Sequence, residues 1–197
     1  MENRIEVVII MLKDDLLKSN RIKITSLREE DIGTVTKWYE DTTFLRVFDF
    51  NAAAPLSKWK IKEWLLEEIN NPNNYFFAIR EESDGPMIGY VEIERISWNN
   101  GVGGIAIGIG DLKQRGKGYG KEALSLVMDF AFRELNLHRL QLITISYNER
   151  AIRLYERLGF KREGTYREAV FRDGERYDIY LYGILDREWK GLAEHRA

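Results

Sequence analysis

Hydrophobic and polar positions change period several times along this chain, and each change predicts an element. Residues 21–27, RIKITSL, alternate as a strand with one buried face. Ser26 with Glu29 offers a capping box, and Ile32, Val35 and Trp38 or Tyr39 follow at helical spacing, which predicts a first helix. DTTFLRVFDFNAAAP, residues 41–55, shows no period and is expected to be irregular. Ser57 then caps a second helix whose buried stripe is Ile61, Trp64, Leu65 and Ile69, stopped by NNPNN at residues 70–74. YFFAIR (75–80) and MIGYVEIERISW (87–98) read as paired strands around the turn residues Ser83, Asp84, Gly85 and Pro86. Asn100-Gly101 predicts a hairpin into VGGIAIGIG (102–110), a strand so rich in glycine that bulging or close approach is expected.

From residue 122 to 135, Leu124, Val127, Met128, Ala131 and Leu135 make an apolar stripe, with Glu122, Ser125, Asp129 and Arg133 on the opposite, polar one. RLQLITIS (139–146) is a buried strand, and the helix before it requires it to run parallel to the preceding strand, by a right-handed crossover. A short helix begins at Asn148 and closes at Gly159, and TYREAVF (165–171) and RYDIYLYGIL (176–185) form a last hairpin through Asp173-Gly174. The order is that of an α/β protein with a mixed sheet. It implies one domain over residues 21–190, an N-terminal extension over 1–20 and a C-terminal tail over 191–197.

Composition adds exclusions. Thirty basic and 32 acidic residues leave a net charge of −2, which argues against nucleic acid as the main partner, so any basic site is local. The chain has no Cys, which removes disulfides, thiolate metal sites and Cys nucleophiles and suits a reducing compartment. The apolar run at residues 7–12 is too short for a signal-peptide core or a membrane span. The expectation is a soluble cytoplasmic protein with no membrane partner. No His, Asp and Glu cluster has metal-ligand spacing, so no metal is expected, and neither His138 nor His195 is placed for catalysis.

The chemistry concentrates in GIGDLKQRGKGYGKEAL, residues 108–124. A strand that ends in a glycine-rich loop and opens a helix gathers unpaired N–H groups and the positive end of the helix dipole at one point, which attracts phosphate. Gly116, Gly118 and Gly120 permit unusual dihedrals and close approach, while Lys113, Arg115, Lys117 and Lys121 supply charge. A Walker A loop is excluded because Arg115 stands where its second Gly is required, and Gly116-Lys117-Gly118-Tyr119-Gly120 is not the dinucleotide G-x-G-x-x-G. An NTP site is therefore disfavoured. The alternative to a phosphate site is a tight, solvated turn with ordinary surface cations.

RGKGYG at residues 115–120 matches Q/R-x-x-G-x-G/A, and in this the chain resembles the GCN5-related N-acetyltransferases, whose acetyl-CoA pyrophosphate loop carries that pattern. SYNERAIRLYERLGFKREG (146–164) resembles the superfamily's next segment, where an Asn ends a strand and a Tyr lies seven residues on. Residues 166–189 resemble the ribosomal-protein-alanine and diamine acetyltransferase branch, so the likeness spans about residues 22–189. It implies an acyl-CoA N-acyltransferase fold: a mixed, mostly antiparallel sheet with one splayed parallel strand pair and flanking helices.

The resemblance also implies acetyl-CoA as co-substrate. The backbone of Arg115, Gly116, Lys117, Gly118, Tyr119, Gly120 and Lys121 would hold the pyrophosphate. That of Gly108, Ile109 and Gly110 would run along the pantetheine arm, and Asn148 would meet it where the strands part. Tyr155 would be the general acid for the departing thiolate. Taken by themselves, Asn148 is a good N-cap and Tyr155 shares a helix face with Ile152 and Leu158. Relatives in this branch often carry Glu at the position of Gly104, which leaves the general base open, and they are often dimers, so a homodimer is an option.

Direct transfer needs a neutral amine. An amine titrating near 10.4 is neutral about once in 2,500 at pH 7, a cost of roughly 4.6 kcal/mol, whereas an N-terminal α-amine near 7.7 to 8.0 costs about 1 kcal/mol. A polyamine therefore gains more from a carboxylate base than a protein N-terminus does. Glu92, with Glu94 second, is the candidate, both on one face of a strand beside the cofactor strand; the alternative is a solvated edge-strand face. Asp41, Asp49, Glu63, Glu67 and Glu68 in the variable segment either attract a cationic amine or are surface charge. The reading is an N-acetyltransferase acting on a protein N-terminus, polyamine or other small amine; the alternative is a non-catalytic acyl-CoA sensor or docking module.

Overall fold

A computed structural model describes residues 16–81 and 85–191. The apolar run at 7–12, the turn residues Ser83 and Asp84, and His195 lie outside the described residues. The strands are β1 (Ile22–Thr25), β2 (Tyr75–Glu81), β3 (Met87–Ser97), β4 (Val102–Ile109), β5 (Arg139–Ile145), β6 (Lys161–Arg172) and β7 (Glu175–Leu185). They form one sheet in the order β1-β2-β3-β4-β5-β7-β6. Every neighbouring pair is antiparallel except β4 and β5, which run parallel as the crossover required. Their ladder covers only Val102↔Arg139 to Gly104↔Gln141, and beyond it the two strands part. The last hairpin turns through Asp173 at φ 52° and Gly174 at φ 82°, the two positive dihedrals of a tight twisted turn.

The first helix, α1 (Asp31–Glu40), starts later than the capping box predicts and has no side-chain cap. Asp31 takes over the anchoring: its carboxylate accepts the Arg28 N–H at 2.8 Å and forms a buried ion pair with Arg80 on β2. The segment expected to be irregular contains α2 (Thr42–Phe48), started by Asp41, which accepts the Thr43 N–H at 2.8 Å. In α3 (Lys58–Asn70) Ser57 caps as expected, and Ile61 and Leu65 are buried, but Ile69, expected in the same stripe, is 46% exposed. The fourth helix, α4 (Tyr119–Arg133), begins at the glycine loop itself. Ser125 and Asp129 of the polar stripe are buried, and Trp189 Nε1 donates to Asp129 at 2.6 Å. A short α5 (Glu149–Arg157) is closed by Gly159 at φ 93°.

Two cores clamp the sheet. Val91, Ile93, Leu124, Val127, Met128 and Leu140 pack together with Tyr155 and Leu158 on the face of α4 and α5. Val35, Trp38, Tyr39, Phe44, Ile61 and Leu65 close over Phe76, Ala78 and Tyr90 on the other. Each fully buried aliphatic chain contributes about 1.5–3 kcal/mol. The second cluster sits over β2 and β3, and the parting between β4 and β5 stays open.

Candidate functional site

Where β4 leaves β5, a cleft of about 1260 Å³ runs along the parted strands. Its walls come from both faces: Leu154, Tyr155 and Tyr182 on the side of α5, Phe44, Phe48 and Ile143 on the other. Beyond Gly104 the side of β4 that faces β5 has no strand partner among the described residues, so the backbone from Ala106 to Ile109 presents polar groups to this space.

The glycine loop closes one end. A short turn at Leu112–Gln114, capped by Asp111, leads to extended Arg115, then Gly116 at φ 82° and Gly118 at φ 89°, the residue before α4. These dihedrals are strained for any side chain. No backbone acceptor among the described residues takes the N–H groups of Gly116 to Gly120, the donors a helix start leaves free. A Cβ at Gly116 would meet only Arg150 Nη2 at 3.8 Å, and at Gly118 only Arg21 Nη2 at 3.4 Å. The approach to these N–H groups is thus bounded by cations, which fits a pyrophosphate.

Arg21, not singled out from sequence, braces the loop: Nη1 donates to Lys117 O at 3.0 Å, and the guanidinium pairs with Glu122 and lies 5.1 Å over the Tyr119 ring. Lys117 Nζ donates to Gln114 at 2.7 Å. Arg115 turns inward; its Nε donates to Ile109 O at 2.8 Å, its plane lies 5.5 Å from the Phe44 ring, and burial lowers its pKa. Its Nη2 is buried without an acceptor among the described residues. Gly120 packs against Leu154, while Lys121 lines the cleft.

The strand glycines have a different reason. A Cβ at Gly110 would lie 1.9 Å from the Trp38 ring, and at Gly108 3.1 Å from Phe48. Gly110 also donates its N–H to Ile88 O at 3.1 Å. At Gly104 the missing side chain leaves room for Glu94, whose Cγ and Oε1 sit 3.0 and 3.1 Å from that point.

Asn148 lines the cleft and does two further things: Oδ1 accepts the Ala151 N–H at 3.2 Å as N-cap of α5, and Nδ2 donates to Val47 O at 3.0 Å. Tyr155 is 7% exposed, set against Phe160 and Tyr182, and its hydroxyl has no hydrogen-bond partner among the described residues. Burial pushes its phenol up to about 12, so it holds its proton.

Glu92 is not on an edge: β3 lies between β2 and β4, and Glu92 stands in register with Phe76 and Ala106. At 8% exposure its carboxyl is pushed up to about 8, by burial first and then by Glu94 and Glu68, with Arg95 opposing. Glu94, two residues on and on the same face, pairs with Arg95 and lines the cleft itself. The other acidic candidates divide. Asp41 caps α2, Asp49 accepts the Asn51 N–H at 2.9 Å, Glu68 accepts from Trp64 Nε1 at 3.2 Å, and Glu63 and Glu67 are exposed. His138 lies at the paired end of β4 and β5, 3.3 Å from Asp186, away from the parting. Among the described residues no group of His, Asp and Glu can hold a metal ion, and no helix is long and apolar enough to cross a membrane.

Residues 21–161 match the acetyltransferase (GNAT) domain family. The SPbeta prophage-derived uncharacterized N-acetyltransferase YokL of Bacillus subtilis (strain 168) is 32% identical over 136 residues, 69% of this chain and 75% of that protein. The spermidine N(1)-acetyltransferase of Escherichia coli (strain K12) is 29% identical over 182 residues, 91% of this chain and 92% of that enzyme. The crystal structure of spermidine N-acetyltransferase from Vibrio cholerae in complex with CoA and spermine has the same fold, with a TM-score of 0.78 at 23% identity over 86% of this chain and 98% of that one.

Proposed function

Because the chain belongs to the acetyltransferase (GNAT) family and is an acetyl-CoA-dependent N-acetyltransferase, we propose that its acceptor is a small, strongly basic primary amine of the polyamine type. Two of the relatives are named for spermidine, which supports this class over a protein N-terminus. The observation that carries it is the buried Glu92 carboxyl held at about 8 beside Glu94. Such a carboxyl, uncharged at rest, gains most from a ligand that brings a full positive charge.

In this reading the N–H groups of Gly116, Lys117, Gly118, Tyr119 and Gly120, with Arg115 and Lys121, hold the pyrophosphate of coenzyme A, and Gly108, Ile109, Gly110 and Asn148 flank the arm. Bound acetyl-CoA supplies an acetyl thioester. An ammonium entering the cleft draws Glu92 into its ionised form, and Glu92, through Glu94 or a water, then accepts the ammonium's proton. The neutral amine attacks the thioester carbon, the C–S bond breaks as Tyr155, still protonated, donates to the leaving sulfur, and the proton left on the new amide nitrogen returns to the Tyr155 phenolate. The proposal includes a cytoplasmic setting, in line with the absence of Cys and a net charge of −2, and a homodimer.

The test is a thiol-release assay with spermidine, simple diamines, aminoglycosides and peptides beginning with Ala or Ser. Polyamines should turn over fastest. Turnover with none of them, alongside micromolar acetyl-CoA binding, would favour a non-catalytic sensor.

A further inference from the structure

We infer that Arg172, at the far end of β6, is a positioning residue for the amine acceptor, acting through the wall formed by α2 and the residues after it. The inference rests on the functional reading above and adds to it that the acceptor lies along the side of the cleft lined by Phe44, Val47, Phe48 and Phe50. The first half of α2 is fixed by burial of Phe44 and Leu45. At its C-terminal end Phe48 stacks on Phe44 and meets Tyr90, but Val47 is exposed and a helix leaves its last carbonyls unpaired.

Those carbonyls are taken up one after another by side chains more than 100 residues away in sequence. Tyr147 donates to Arg46 O, and Asn148 donates to Val47 O at 3.0 Å. Arg172 Nη2 then spans Asp49 O, Phe50 O and Asn51 O at 3.4, 3.3 and 2.6 Å. Beside it Arg46 pairs with Asp173 in the β6–β7 turn. A guanidinium suits this place, because it offers several donors in a fixed fork and a positive charge at the negative end of a helix. Its Nε is buried with no acceptor among the described residues. Arg172 therefore fixes where Val47, Phe48 and Phe50 stand along the cleft, without touching the substrate itself.

The experiment uses the full chain with Arg172→Met, which keeps the apolar stem, Arg172→Lys and Tyr147→Phe. Kinetic constants are measured for the best amine of the panel and for acetyl-CoA, with backbone hydrogen exchange of residues 44–51. Arg172→Met should raise the amine KM about tenfold, the effect of losing charged hydrogen bonds. Its kcat and acetyl-CoA KM should stay within twofold while exchange at 46–51 quickens, and Arg172→Lys should recover part of the loss. An unchanged amine KM overturns the inference, as does a parallel decline of every constant with melting temperature. If Arg172→Met does not fold, Tyr147→Phe decides: about a threefold rise in amine KM is expected, and none overturns it. Absence of turnover in the unaltered enzyme defeats the functional reading alone; the wall is then judged on exchange, and unaltered exchange in the variants defeats it.

Discussion

Glu92→Gln tests the acceptor end most directly, because one substitution moves stability and catalysis in opposite directions. A carboxyl that ionises at about 8 in the fold, against 4.5 in the open chain, holds its proton more tightly when folded. Between those two values the unfolded chain has released the proton and the folded one has not, so stability falls as pH rises. The support is complete below pH 4.5 and gone once pH passes about 8. At about 1.4 kcal/mol for each tenfold change, the total is about 5 kcal/mol. Gln keeps the shape and fixes the neutral state, so the variant escapes this loss. Its melting temperature relative to the unaltered protein should climb by on the order of 10 °C between pH 5 and pH 9. Over the same range the unaltered enzyme should gain kcat/KM for a polyamine as the carboxyl ionises. The variant should lack that rise and be slower by about 100-fold at its top. Differential scanning calorimetry and the thiol-release assay, run on both proteins in the same buffers, read the two effects. Melting curves whose separation does not change with pH would mean that Glu92 titrates as an ordinary carboxylate, and the argument for it as base would fall.

The other predictions concern the cofactor end. Tyr155→Phe removes a hydroxyl with no partner among the described residues, so melting temperature should hold while turnover drops about 100-fold at an unchanged acetyl-CoA KM; unaltered turnover removes the acid role. Gly118→Val forces a branched residue to φ 89° beside Arg21, and calorimetric CoA affinity should fall more than about tenfold, with normal affinity contradicting the loop's role. Gly110→Ala places a Cβ 1.9 Å from the Trp38 ring, and urea unfolding should show a loss of about 1–3 kcal/mol or more, partly restored by Trp38→Leu in the same chain. An undiminished midpoint in Gly110→Ala would show that α1 does not pack there.

What the sequence withheld about the fold has a common cause. α2 has seven residues, two turns, too few for a hydrophobic period to register beside Thr42, Thr43 and Arg46. What keeps it helical is burial of Phe44 and Leu45 and the donors Tyr147 and Asn148, all tertiary. The start of α1 was misplaced for the same reason: Ser26 and Glu29 have the right spacing, but Asp31 is held by Arg80 on β2, and that pairing decides where the turn begins. The polar stripe of α4 read correctly as polar, but that Ser125 and Asp129 within it are buried, with Trp189 bonded to Asp129, depends on the distant end of the chain. By contrast the parallel crossover and the glycine turns were legible, because chain connectivity and backbone sterics act locally.

The site divides along the same line, and its glycines show where. Gly116 and Gly118 are required by their own positive φ, a property the loop carries wherever it is placed, so RGKGYG was readable on its own. The glycines of VGGIAIGIG signalled close approach equally well, but a glycine in a strand records a missing volume and not its occupant. The occupants are Trp38 from α1 at Gly110, Phe48 from α2 at Gly108 and Glu94 from β3 at Gly104. Only the register Glu94↔Gly104 reveals the last of these, and register is set by the whole hairpin. Its consequence is chemical: the carboxyl that position 104 lacks is present at nearly the same point in the cleft, carried by the adjacent strand, with Glu92 two residues along the same face. In the proposed mechanism the carboxylates therefore come from β3, across the ladder from Gly104.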